Sequence, residues 1–464
     1  MTVLLRQYPE YKDSCQPWIG AVPRHWDVLP NRALFKERIE KNHANEQMLS
    51  VTIGKGVISQ RDLLRDTSKK DSSNQDKSNY KLVQSGDIAY NKMRAWQGAV
   101  GVSRLRGIIS PAYVVQTLRM SSDNPEFFHY VLRTPAFAKE AERWSYGITS
   151  DQWSLRSSDF KQIYCQRPPR NEQDAIVQFL RHVDAIFNRL IRAKRSVIEL
   201  LEEQKQVVID NQISTSNVDA DKRWTRLKYV ADVQTGITLG KRYSEAVREY
   251  PYLRVANVQS GRVDLATVKK VAVSDSERAS STLRPGDVLM TEGGDIDKLG
   301  RGCVWKGEIP NCLHQNHVFA VRTKAELEPE FLVLVMMSQH GRSYFQSTAK
   351  RTTNLASTNQ TTIRNFPFCL PSVEKQREIL NLVRTKCTDL DLTILRAANE
   401  IALLGEYRTR LVTDVVTGKL DVRGVQLSEI EAVEEPEALA DANGNEEESE
   451  DALVGVEEEA DASN

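Results

Sequence analysis

The chain repeats itself, and that repetition limits its architecture more than any other feature of its 464 residues. Trp26, Leu29 and Ala33 return as Trp224, Leu227 and Ala231. Gly86-Asp87-Ile88 returns as Gly286-Asp287-Val288, and Pro125-Glu126-Phe127 as Pro329-Glu330-Phe331. Pro168, Glu172-Gln173 and Ile176 are matched by Pro371, Gln376 and Ile379. Landmarks that recur in one order imply one structural unit built twice. Two copies are expected, over residues 26–213 and 224–418.

Both copies follow one local pattern. Short apolar runs such as Gly86–Tyr90, Ala112–Val115 and Val318–Val321, set between Gly, Pro, Asn and Ser, predict strands and turns. A short helix is expected after each Pro-Glu-Phe. A proline then introduces a long helix. In the first, Ile176, Phe179, Val183, Ile186, Leu190, Ala193, Val197 and Leu200 step alternately by three and four. In the second, Leu390, Ile394, Ala397, Ile401, Leu404 and Leu411 do the same, with Arg408 as an interruption. Such a stripe is a coiled-coil seam, and residues 171–213 would form a rod of roughly 60 Å. A single apolar stripe needs a partner, and the other long helix of the chain, running antiparallel, can supply it.

The fold class expected is therefore α/β, more narrowly α+β. Two mixed domains (1–167 and 217–370) alternate with a central long helix (168–216) and a C-terminal one (371–427), followed by an acidic segment, 428–464. Residues 66–78 and 214–221 read as a polar loop and a linker. The neutral net charge hides an asymmetry. Residues 428–464 hold 15 Asp or Glu and no Lys or Arg, leaving 63 basic against 48 acidic side chains before them, a net of +15. The acidic segment cannot bury a core and is expected to be disordered, as a solubilising tail or as a polyanion that competes for the basic body. The basic body suits a polyanionic partner or is a solvated surface. No run of about 18 apolar residues predicts a membrane span, and no secretory leader is expected from the opening residues. The six cysteines form no CxxC pair, so a reducing cytoplasm is expected.

Catalytic signatures are missing. There is no GxxxxGK[ST], no GxGxxG after a strand, no HExxH, no GxSxG and no NPPY- or DPPY-type tetrapeptide. His314 and His317 in HQNH lack further ligands, and Cys303 and Cys312 have the wrong spacing for a zinc knuckle, so no metal site is expected. The chain reads as non-catalytic. Duplex recognition needs cations for phosphates and planar amides or guanidinium groups for base edges. Asn91, Lys92, Arg94, Trp96 and Gln97 supply these in copy one, and His314, Gln315, Asn316, Lys350 and Arg351 in copy two. Lys298 and Arg301 lie in a glycine-rich stretch, 293–302, that could approach a phosphate. An exposed polar strand face would look the same.

Together, WIGAVPRHWDVL at 18–29, KERIEKN at 36–42, GDIAYNKMRAWQGAVGVS at 86–103, SPAY at 110–113, the two proline-to-glutamine helix starts and LVTDVVTGKL at 411–420 carry a resemblance over residues 8 to about 424. The chain resembles the specificity subunit of type I restriction–modification systems. The resemblance implies two target recognition domains, each reading half of a split double-stranded DNA site. It makes the long helices a spacer and a docking ground for DNA methyltransferase (modification) subunits. S-adenosylmethionine would then be held by those partners, and ATP and Mg by a restriction and translocase subunit, with no cofactor in this chain. The acidic segment departs from the family pattern. Two rival readings are a fused methyltransferase–nuclease and a coiled-coil scaffold that binds no DNA.

Overall fold

The architecture follows from a turn that the sequence writes twice. The structure is a computed structural model and describes residues 5–65, 76–147, 153–216, 223–241, 246–294, 299–351 and 356–427. In copy one, strands β1 (Phe35–Glu37), β2 (Ile88–Asn91), β3 (Val100–Val102) and β4 (Tyr113–Leu118) form an antiparallel sheet in the order β1-β4-β2-β3. In copy two, β5 (Ala231–Thr235), β6 (Val288–Thr291), β7 (Gly302–Val304) and β8 (Val318–Thr323) form an antiparallel sheet in the order β5-β8-β6-β7. The two orders are the same. The mixed strand-and-helix fold expected from the sequence is the fold observed.

The Gly-Asp pair opens the second strand of each sheet. Gly86 and Gly286 have φ of 91° and 93°, where a side chain would be strained. The aspartate behind each glycine is buried. Gln84 N–H donates to Asp87 Oδ2 and Arg284 N–H to Asp287 Oδ2, both at 2.8 Å. A buried carboxylate needs a cation, because its desolvation is otherwise uncompensated. Arg38, just beyond β1, donates from Nε to Asp87 Oδ2 at 2.8 Å. In copy two the cation comes from a different strand: Arg322 on β8 grips Asp287 with Nε at 2.8 Å and Nη2 at 2.7 Å.

Each sheet packs on helices. Helices α1 (Pro125–Leu132) and α2 (Arg170–Ser216) belong to the first repeat, α3 (Pro329–Met337) and α4 (Val373–Val416) to the second. Trp26, Phe35, Tyr90, Phe127, Phe128 and Phe160 fill the first core. Phe319, Phe331, Phe345, Phe366 and Phe368 fill the second. The repeated glutamine roots each long helix. Gln173 accepts from Asn124 N–H at 2.7 Å and donates to Pro168 O at 2.9 Å and Asp123 Oδ1 at 3.0 Å. Gln376 accepts from Glu328 N–H at 2.8 Å and donates to Pro371 O at 2.9 Å and Glu326 O at 2.8 Å. Both amides are wholly buried. One side chain thus joins the long helix, the proline before it and the start of the short helix.

The compact units are Met1–Arg195 with Ala398–Asn464, and Ser196–Ala397. They cut across the linear boundaries drawn from the sequence, because each unit keeps one segment of each long helix. In the first, Asp184 meets Arg408 at 2.7 Å, the Phe187 and Tyr407 rings lie 5.9 Å apart, and Lys194 pairs with Glu400. Advancing along α2 retreats along α4, so these segments are antiparallel. In the second, Lys205 Nζ lies 2.5 Å from Asp391 Oδ1, and Ile209 and Ile213 share a core with Ile379, Val383 and Cys387.

The seam read for α4 follows its inward line: Ala397 and Ile401 are buried, and Leu390, Ile394, Leu404 and Leu411 are partly so. The seam read for α2 needs correction. Ile176, Phe179 and Val183 are buried, but Ile186, Leu190, Val197 and Leu200 are exposed, while Phe187 and Ile191 turn inward. A strict 3.5-residue period drifts by about 20° per heptad on a 3.6-residue helix. Here the inward line steps by four twice, from Val183 to Phe187 to Ile191, and then takes in Lys194, a polar residue satisfied across the pair.

Helix α2 runs three residues into the stretch read as a linker, and residues 217–222 lie outside the described ones. Helix α4 stops at Val416, short of the expected 427, and the chain beyond Asp421 stays packed. Val422 is buried in the first core. Arg423 reaches Glu172, a buried carboxylate that also accepts from Trp26 Nε1 at 2.9 Å and Tyr8 Oη at 3.2 Å. The acidic segment 428–464 and residues 66–75 of the polar loop lie outside the described residues.

Replacing Gln376 by Ala leaves the Glu328 N–H and two carbonyls without partners. The expected loss is about 1–3 kcal/mol of unfolding free energy, measurable by urea denaturation; an unchanged midpoint would contradict the rooting role.

Candidate nucleic-acid interface

The loop leaving the second strand of each sheet occupies the same place in both copies. In copy one, Lys92 O accepts from Leu155 N–H at 2.9 Å; in copy two, Glu292 O accepts from Thr358 N–H at 2.8 Å. Each loop is therefore tied on one side to the next segment of its own domain. Between these ties the side chains differ completely.

In copy one the chain turns after Asn91, passes through a 3-10 turn at Ala95–Gln97 and leaves it at Gly98, φ 93°. Trp96 donates from Nε1 to Met93 O at 2.9 Å and meets Trp153 edge-on, ring centroids 5.5 Å apart. Met93 and Gln97 are exposed, Lys92, Arg94 and Trp96 half-buried. Exposed Tyr146 bridges to Ser154 on the segment that carries Trp153. Cations, an amide and flat apolar rings meet there, a combination suited to phosphates and bases.

Asn91 stands apart from this group. It is buried, and its Oδ1 accepts from Met93 N–H at 3.0 Å, so its amide shapes the turn rather than facing outward. Residues 148–152, beside Trp153, lie outside the described residues.

In copy two the strand of Gly293–Gly294 pairs with Ala356–Ser357, which pairs in turn with Lys350–Arg351. Lys350 and Arg351 are exposed, and Arg301 is half-buried. Gln315 and Asn316 are half-buried, their backbone N–H groups held by Leu253 O at 2.9 Å and Ile237 O at 2.8 Å. Lys298 and residues 352–354 lie outside the described residues.

His314 is a correction. It is wholly buried, with Nδ1 2.6 Å from Val318 O, and burial pushes its imidazole below the usual value, toward the neutral form. It cannot reach a ligand outside the core. Its backbone is also closely approached: a Cβ at Gly236 would lie 2.0 Å from His314 O, so only glycine fits there.

The residues that sequence reading left out of the site are Trp153, Tyr146 and Glu292. Trp153 and Tyr146 flank a gap in any motif and become visible only through packing. Glu292 takes the position of Lys92, five residues past the repeated aspartate in each copy, a register that the sequence repeat already contains. Cys303 and Cys312 are buried, their thiols pushed up to about 12 by burial, so they stay protonated. Among the described residues, no three His, Cys, Asp or Glu gather as metal ligands.

The long helices carry a second surface. Ile186 and Leu190 in the first unit, and Val197, Leu200 and Val207 in the second, stand exposed on α2. On α4 the exposed apolar residues are Leu403 and Tyr407 in the first unit, with Leu382, Leu392 and Leu395 in the second.

No protein-family model matches the chain. It is 23% identical over 189 residues, 40% of its length and 44% of the relative's, to a protein of Methanocaldococcus jannaschii provisionally named the type I restriction enzyme MjaX specificity subunit. It is 21% identical over 282 residues, 58% of its length and 60% of the relative's, to the type I restriction enzyme EcoKI specificity subunit of Escherichia coli. The chain thus spans about half the length of these curated relatives. A solved structure described as the structural basis of complex assembly and conformational transition of the type I R-M system superposes with a TM-score of 0.56 at 17% identity, over 86% of this chain and 99% of that one. At that identity the likeness is one of fold. In sequence the chain resembles specificity subunits of type I restriction enzymes, and in fold a chain of a type I R-M system.

Proposed function

We propose that this chain is the non-catalytic DNA-specificity subunit of a type I restriction–modification complex, each copy reading one half of a bipartite duplex site. The observation that carries the reading is the recurrence of one loop at one place on one sheet, twice, with different side chains. A single scaffold with two unlike loops suits a target made of two unlike halves. The cations beside each loop, Lys92 and Arg94 in one and Arg301, Lys350 and Arg351 in the other, suit phosphate contact.

The exposed apolar rows on α2 and α4 are the docking ground for DNA methyltransferase subunits, and a restriction and translocase subunit joins the same assembly. S-adenosylmethionine, ATP and Mg belong to those partners. The work is done in the cytoplasm. No helix among the described residues is long and apolar enough to cross a membrane.

Two outcomes follow. Replacing Lys350 and Arg351 by Ala removes two phosphate contacts, so the slope of log affinity against log salt becomes shallower by about 1.8. Fluorescence anisotropy with the target duplex at several salt concentrations reads this; an unchanged slope would remove both residues from the interface. Replacing Ile186 and Leu190 by Glu should abolish co-purification with the modification subunits while leaving the melting temperature unchanged, because both side chains are exposed in the free chain. Retained co-purification would move the docking ground elsewhere.

A further inference from the structure

The two copies carry opposite charges at one structural position. Lys92 follows β2 and Glu292 follows β6, and the same carbonyl tie holds both. The facing residues differ as well. In copy one the strand pairing ends with Tyr113 opposite Asn91; in copy two Val318 lies opposite Thr291, and one residue further out His317 meets Glu292. His317 Nδ1 lies 2.5 Å from Glu292 Oε2. The other carboxylate oxygen, Oε1, has no hydrogen-bond partner among the described residues. The glutamate backbone is held on both sides, by Glu292 N–H to His317 O at 2.8 Å and Thr358 N–H to Glu292 O at 2.8 Å. The side chain is 34% exposed, and exposed Lys350 and Arg351 lie on the same small sheet as Gly293 and Gly294, the residues that follow it.

A carboxylate fixed this way at the edge of a cationic surface is repelled by phosphates. It is compatible with a duplex where it can accept a hydrogen bond from an amino group on a base edge. In the major groove, cytosine N4 offers that donor to Glu or Asp. Lys92, at the same place, suits a phosphate or the O6 and N7 acceptors of guanine instead.

We propose that Glu292 is a specificity-determining residue, accepting through Oε1 from the N4 amino group of a cytosine in the half-site read by copy two, with His317 as its positioning residue. The inference rests on the DNA-reading function proposed above, and it deepens that reading by assigning one base.

The test uses the full chain in complex with its modification subunits, with methylated positions mapped across a genome for wild type, Glu292→Ala, Glu292→Gln and His317→Ala. In Glu292→Ala, one C·G pair of one half-site should lose about 5- to 150-fold discrimination, with the other half-site unchanged. Glu292→Gln, which keeps the shape, should admit adenine at that pair, since a glutamine amide matches adenine N6 and N7. His317→Ala should weaken discrimination at the same pair at an unchanged melting temperature, which a merely structural histidine would not do. An unaltered motif in Glu292→Gln, or a change confined to the other half-site, overturns the proposal. A wild-type complex that methylates no bipartite motif defeats the DNA-reading function itself, and so is distinguishable.

Discussion

Each half depends on a buried glutamine. A helix of more than forty residues has little influence on a domain unless its first turn is fixed, and the helix start is where backbone N–H groups lack partners. Gln173 and Gln376 address the first, tying the opening turn of each long helix to the segment before a short one. Each amide spends its acceptor on the N–H before a short helix and its donors on carbonyl or carboxylate oxygens around the proline bend. The angle at which the long helix leaves its domain is thereby set by hydrogen bonds rather than by packing alone. Any role for these helices in holding two reading surfaces in register rests on those roots.

The variable loops rest on a second shared device with interchangeable parts. A buried aspartate closes the turn before each second strand, and an arginine neutralises it from whichever neighbouring strand can reach. The requirement is charge compensation in a poorly solvated place, not a residue at a set position. Beyond that turn the constraint ends, and the loops diverge: tryptophan, methionine and lysine in one copy, glycine, glutamate and a facing histidine in the other. Stable scaffolding and variable contact surfaces are separated within about five residues of chain.

That separation governs how much was legible in the sequence. The duplicated sheets could be read because β-like alternation and Gly-Asp turns are local signals. The glutamines were visible as landmarks, but their role depends on Asn124 and Glu328, about fifty residues away, which no local pattern exposes. The inward line of α2 was misread from Ile186 onward because its polar members are satisfied by residues on α4, and a period count treats them as gaps. His314 and Asn91 looked like ligand groups by residue type, yet one is sealed in the core and the other spends its amide on its own turn. The Glu292–His317 pair is a register effect between neighbouring strands, invisible until the strands are aligned.

The central claim is that one chain carries two independent reading surfaces on one repeated scaffold. The most direct measurement exchanges the residues 92–98 loop for the residues 292–301 loop within the first copy, then maps the positions methylated by the assembled complex. The account predicts that one half-site changes toward the sequence of the other while the second half-site and the gap between them stay as they were. A change in both halves together, or a motif that ignores the exchange, would contradict it.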